Sequence, residues 1–180
     1  MSAEADLGAV FDEHVAAEFS EQDVDATMRT MVSEPYVWHV PALTGAAGGE
    51  AVRRFYATQF IGQTPDDAVL HPIARTVSAQ RVIDEFVLEF THDREIPFML
   101  PGVAPTGRRV RIPTVVVMGF RDGKVAYEHI YWDQASVLVQ IGLLEVAALP
   151  ISGSEQADRL LEFALAGRVE PQDPPTNARQ

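Results

Sequence analysis

The stretch VRIPTVVVMGFRDGKVAYEHIYWD, residues 110–133, decides the fold. Residues 110–120 and 125–132 are dense in β-branched and aromatic side chains, and Asp122-Gly123 between them supplies the positive φ angles of a tight turn. This is an antiparallel hairpin. Upstream, residues 82–91 and 73–79 have the same β-rich character. Further towards the N-terminus the period changes. Leu7, Val10, Phe11, His14 and Val15 recur at the spacing of one helical face, with Asp12 and Glu13 opposite. Asp23 is a good N-cap for a second helix, with Val24, Met28, Met31 and Val32 on its buried stripe and Pro35 as its stop. Residues 36–40 read as a short strand closed by Pro41. The Gly-rich residues 44–49 lead into a third helix, which puts Ala51, Val52, Phe55, Tyr56 and Gln59 on one side and Arg53 and Arg54 on the other. Helices first and strands afterwards is the order of an α+β domain whose curved, mainly antiparallel sheet wraps, cone-like, around N-terminal helices.

Past the hairpin, residues 137–144 suggest a short helix, and Ser152 to Glu155 is a capping-box pattern opening another, ended by Gly167. One domain is therefore expected over residues 1–167, with its extra C-terminal helix near 153–167. The tail 168–180, with Pro171, Pro174 and Pro175, has too little apolar surface to order itself. Between Asp93 and Arg109 runs a long apolar connection broken by three prolines, of the kind that forms a lid, a pocket rim or an oligomer contact.

Composition limits the partners. The 180 residues are 47% hydrophobic and 22% charged, as in one globular domain. The absence of cysteine removes disulfides, thiolate metal sites and a cysteine nucleophile. Acidic side chains outnumber basic ones 26 to 14, and the net charge of -12 repels nucleic acid. No stretch approaches the roughly 18 uninterrupted apolar residues of a membrane span, and the acidic N-terminus is unlike a secretory leader. A cytoplasmic chain without membrane or nucleic-acid partners is expected, binding a small apolar molecule and a second copy of itself.

Several segments look familiar. Gly49-Glu50-Ala51-Val52-Arg53-Arg54-Phe55-Tyr56 resembles the third helix of the nuclear-transport-factor-2-like superfamily, and Trp38-His39-Val40-Pro41 the strand before it. Asp122-Gly123-Lys124-Val125, followed by Glu128 and Tyr131-Trp132-Asp133, is similar to the last hairpin of its SnoaL-like polyketide cyclase branch. The resemblance implies a cone around an apolar pocket. It also implies chemistry without a cofactor, by a buried carboxylate and sometimes a histidine, in enzymes that are cyclases, isomerases, dehydratases or epoxide hydrolases, or in proteins that only bind a ligand. By position, Asp133 best matches that carboxylate.

Strand alternation sorts the polar groups. Phe86, Leu88, Phe90 and His92 share one face. On the last strand His129, Tyr131 and Asp133 share one face and Glu128, Ile130 and Trp132 the other. The first set is the densest polar group of the β region and is read as catalytic, although such a face can also meet solvent or a partner subunit. His39 and Trp38 point apart, so one of them faces a cavity. His14 and His71 read as structural or solvated, and Arg108, Arg109 and Arg111 as a solvated or carboxylate-paired strand edge, with binding of an anionic substrate as the alternative. No H-E-x-x-H pair, nucleotide loop or nucleophile elbow is present, and no metal is expected. The candidate catalytic residues are thus Asp133, His92, His39 and His129. Those expected to hold ligand are Trp38, Tyr56, Phe86, Phe90, Phe98, Leu100 and Tyr131. The expected activity is cofactor-independent acid/base catalysis on a small apolar carbonyl, lactone or polyketide-like molecule, of cyclase, isomerase or hydrolase type. The alternatives are a ligand-binding module and a dimerisation module.

Overall fold

The computed structural model describes residues 6–147 and 149–166; the expected helix stop at Gly167 and the tail beyond it lie outside the described residues. The elements run α1 (Leu7–Phe19), α2 (Val24–Thr30), β1 (Met31–His39), β2 (Thr44–Ala47), α3 (Gly49–Phe55) and a π-helical turn (Tyr56–Phe60). They continue with β3 (Val69–Val77), β4 (Arg81–Thr91), β5 (Arg109–Arg121), β6 (Lys124–Trp132), α4 (Gln134–Gln140) and α5 (Glu155–Ala166). Asp6 caps α1, accepting from the Gly8 and Ala9 N–H groups at 3.0 and 3.3 Å. Asp23 caps α2 in the same way, at 2.7 and 3.0 Å from Asp25 and Ala26.

α2 is shorter than its pattern suggests. It ends at Thr30, and Met31 and Val32 belong to β1, so Ala26, Thr27 and Thr30 form its buried side. Pro35 does not stop a helix but lies inside β1, at an irregularity in the pairing with β6 between Met31 and Tyr36, where a strand tolerates a residue without an N–H. Residues 44–47 pair with β1 as a strand. β3 begins at Val69, earlier than composition indicates, because its first residues pair with Glu89, Leu88 and Val87 on β4. α5 begins at Glu155, whose carboxylate accepts from Gly153 N–H at 2.7 Å in place of the expected bond to Ser152.

The sheet order is β2-β1-β6-β5-β4-β3, antiparallel throughout except for the parallel β1–β6 pair. It is the expected mixed α+β architecture, a curved, unclosed sheet of six strands with α1 seated in its concave side. Register fixes which residues share that side. Asp84, Val116, Ile130 and His39 are successive partners across β4, β5, β6 and β1. Val82, Met118, Glu128 and Val37 form the next such row, and Phe86, Thr114 and Trp132 another. On β3 the register jumps from Pro72–Phe86 to Ala74–Glu85, so Ile73 is an extra residue. This bulge shifts the phase of the strand and sets Arg75 opposite Asp84.

The Pro-rich connection is a packed wall rather than a lid. Ile96, Phe98, Met99 and Leu100 are buried. Thr44 donates to the Phe98 carbonyl at 2.5 Å and Gln134 to that of Met99 at 3.1 Å. On the convex side Arg109 and Arg111 pair with Glu89, which decides for these two the carboxylate-paired edge over the solvated one, and Arg111 also reaches Asp158 on α5. Among the described residues no helix is long and apolar enough to cross a membrane.

Candidate active site

A cavity of about 280 Å³ lies between α1 and the concave face of the sheet, just under the usual range for small-molecule sites. Its walls are mostly aromatic and aliphatic, with polar interruptions at Glu18, His39, Thr64, Arg75, Asp84, Thr114 and Glu128.

The densest of these interruptions is a buried cluster drawn from four elements. His14, on the face of α1 turned to the sheet, places Nε2 at 3.1 Å from Glu18 Oε1 and 3.0 Å from Glu128 Oε1. Tyr56 donates its hydroxyl to the same Glu128 oxygen at 2.7 Å. On the other side of the ring, Nδ1 lies 2.6 Å from Thr30 Oγ1, whose own proton goes to the Thr27 carbonyl at 2.6 Å. Thr30 therefore accepts, and Nδ1 must donate. Nε2 faces the two carboxylates, and the Tyr56 hydroxyl at 3.3 Å has its proton on Glu128, so Nε2 donates as well. His14 is thus an imidazolium: burial works against its charge, but Glu18 and Glu128 outweigh burial and raise its pKa to about 10.

The two carboxylates divide. For Glu128, burial favours the neutral acid, but the charge and hydrogen bond of His14, with Tyr56, hold it below the ordinary carboxylate range. Glu18 is pushed up by burial, with the Glu128 charge adding to the rise and His14 opposing it. The pair therefore presents to the same cavity two carboxyls whose proton affinities are pushed apart, Glu18 upward and Glu128 downward, which is how acid and base roles are separated in one site. The ligating atoms of His14, Glu18 and Glu128 lie within 4.8 Å of one another, close enough to share a metal ion. A metal there would have to displace the proton that His14 holds between the two carboxylates.

His39 completes the polar end. It is buried inside a cage of Phe55, Phe60, Phe98 and Trp132 rings at centroid distances of 5.4–5.9 Å, and its Nδ1 has no partner. Burial lowers its pKa to about 4 despite the nearby Glu128, so the ring is neutral at physiological pH. The π-helical turn brings Tyr56 behind Glu128 and Phe60 into the cavity wall.

Several residues named from the sequence lie elsewhere. Asp133 is an exposed N-cap of α4, accepting from Ser136 N–H and from Gln156, both at 3.2 Å, and is not a buried carboxylate. His129, Tyr131 and Trp38 lie on the outer side of the sheet, where His129 bonds Tyr36 at 2.9 Å. The reason is packing: β6 must bury Trp132, so the opposite set faces out. Phe90, in phase with Phe86 and Leu88, lies too far along β4, and His92 just past its end, both beyond the cavity. His92 is buried under the connection, bonded to Thr106 at 3.1 Å. Leu100 is core. Tyr56 supports the cavity from behind, while His39, Phe86 and Phe98 line it. His71 bonds Glu89 at 3.1 Å. The cluster of His14, Glu18 and Glu128 is not among the candidate site residues read from the sequence.

Residues 11–128 match the SnoaL-like domain. The chain belongs to the SnoaL-like domain family. No curated protein matches it in sequence. A candidate SnoaL-like polyketide cyclase from Jannaschia sp. CCS1 has a similar structure at 21% identity and a TM-score of 0.60, covering 81% of this chain and 98% of that one. AclR, a candidate hydroxylase from Streptomyces galilaeus, follows at 22% identity and 0.59, covering 79% and 100%. SalBIII, an epoxide hydrolase/cyclase-like enzyme of pyran ring formation in salinomycin, gives 18% and 0.54, covering 73% and 94%. At these identities the likeness is one of fold.

Within this SnoaL-like fold the ion cluster makes stability depend on pH. Because His14 has its pKa raised from 6.5 to about 10, the stability it contributes is complete below 6.5, diminishes above it and is gone once the pH passes about 10. Thermal midpoints of the SnoaL-like chain should therefore fall between about pH 6.5 and pH 10, and fall much less in His14→Gln. Parallel profiles for the two proteins would contradict an imidazolium at this position.

Proposed function

We propose that this SnoaL-like protein is a cofactor-independent acid/base enzyme acting on a small, largely apolar carbonyl, lactone or polyketide-like molecule. The observation that carries the reading is a buried pair of carboxyls, Glu18 pushed up and Glu128 pushed down, facing one apolar cavity beside His14. In this reading Glu128, kept ionised by His14 and Tyr56, takes a proton from carbon next to a substrate carbonyl. Glu18 or the neutral ring of His39 donates to the oxygen on which charge develops. These two steps serve an isomerase or an aldol-type cyclase; in an epoxide opening Glu128 would instead take the proton of an attacking hydroxyl or water while the acid protonates the epoxide oxygen as its C–O bond breaks, in line with the range of names among the structural neighbours.

The probe is 2-tetralone, a bicyclic apolar ketone, whose exchange of carbon-bound protons in deuterated water is followed by NMR. The wild-type protein should accelerate exchange. Glu128→Gln, which keeps shape but loses the base, should lower that acceleration on the order of 10²-fold or more while binding persists. Binding without exchange by the wild type would favour the alternative, a module that only holds its ligand.

The outer face of β1 and β6 carries Tyr36, Trp38, Tyr127, His129 and Tyr131, with Tyr36 stacked on Tyr127 at 5.3 Å. We infer that a second copy of the chain packs on this aromatic face, since aromatic side chains are typical of interface centres. Light scattering at micromolar concentration should give a dimer mass, and a charge introduced by Tyr131→Lys should lower it; a monomeric wild type would contradict the inference.

A further inference from the structure

The cavity has a second polar end. Asp84 on β4 and Arg75 on β3 both line it, on the same cross-sheet row as His39 but three and four strand intervals away, roughly 14 and 19 Å along the sheet surface. Arg75 reaches this position through the bulge at Ile73. Its guanidinium is held on three sides. Nε and Nη2 donate to the two oxygens of Asp84 at 2.8 and 3.2 Å, Nη1 donates to Asp12 on α1 at 2.7 Å, and the group lies 4.5 Å above the Phe11 ring. Arg75 is about one-third exposed and Asp84 less so, which puts the pair at the mouth while the Glu128 cluster lies deep.

The donor and acceptor count defines what this mouth can bind. Three of the five N–H groups of Arg75 are spent on Asp84 and Asp12, and two remain. Each Asp84 oxygen accepts one of the bonds from Arg75 and has a second lone pair. The trio Asp12, Arg75 and Asp84 carries one net negative charge, which disfavours an anion. A hydroxyl group, which donates and accepts at once, satisfies both free functions; a carboxylate satisfies one and is repelled by the charge.

We propose that the Arg75–Asp84 pair selects substrates that are neutral and carry a hydroxyl at the end opposite the reacting carbon. The inference rests on the reading that the cavity holds a small apolar molecule. Its role is specificity: the pair orients the substrate so that the carbonyl end enters towards Glu128, and it takes no part in the proton transfer.

Isothermal titration of the intact protein with 2-naphthol, naphthalene and 2-naphthoate tests this. Wild type should bind 2-naphthol about tenfold more tightly than naphthalene, the scale of one hydrogen bond to a charged group, and 2-naphthoate most weakly. Arg75→Met, which keeps the apolar stem, should bring the naphthol-to-naphthalene ratio close to one. Asp84→Asn, which keeps size and one acceptor, should lower the ratio and raise affinity for 2-naphthoate. Circular dichroism checks that both variants are folded, and either one folded suffices for the test. A ratio unchanged in these variants, or abolished by Glu128→Gln instead, would overturn the proposal and leave the acid/base reading standing. Failure of all three compounds to bind wild type would overturn both.

Discussion

A positively charged imidazole buried between two glutamates sets the arrangement of this molecule. A charge in a protein interior costs several kcal/mol unless partners replace its water, and the cost returns if one partner is taken away. His14 and Glu18 lie one turn apart on α1, so the helix must lie with that face against β6, where Glu128 is waiting. Thr30 at the end of α2 and Tyr56 in the π-helical turn supply the remaining hydrogen bonds. Four separate elements are thus tied to one ring. Well-packed apolar residues often replace a buried ion set without loss of stability, so the ions point to chemistry more than to stability.

The sheet makes this cluster useful by surrounding it with apolar surface. Successive strand partners place Val37, Met118, Ile130, Phe86 and Trp132 around the same concave space, and the Pro-rich connection adds Phe98 and Met99. Low polarity strengthens every charge interaction inside. It keeps His39 neutral and pushes the pKa of Glu18 up, while His14 holds that of Glu128 down. One cavity therefore holds an acid, a base and a neutral histidine at one end, with the Arg75–Asp84 pair at its mouth.

The fold was largely legible because its evidence is local. The Asp122-Gly123 turn, the periodicity of α1 and the cap at Asp23 are each contained in a few neighbouring residues. The end of α2 was less legible, since Met31 and Val32 suit either a helix stripe or a strand, and pairing with β6 decides. The site was half legible. Alternation divides β6 into two sets correctly, but in the richer polar set His129 and Tyr131 lie outside because Trp132 claims the interior, and Asp133 has left the strand to cap α4. A signal for Glu128 did exist: a carboxylate in phase with Ile130 and Trp132. So did one for His14, in phase with Leu7 and Phe11 and one turn before Glu18. What local sequence does not carry is the meeting of α1 with β6, on which the meaning of both signals depends. The bulge that turns Arg75 inward likewise shows only in the register of β3 against β4.

The protonation of His14 is where the account is most exposed, because the ionised state of Glu128 and the split between the two glutamates both derive from it. Nitrogen-15 NMR of the imidazole rings at about pH 8 observes it directly, well above the ordinary histidine pKa. Both ring nitrogens of His14 should carry protons, while His39 should show one protonated and one bare nitrogen. A bare nitrogen on His14 at that pH would mean that the cluster holds no imidazolium, and the proposed division of acid and base would fail with it.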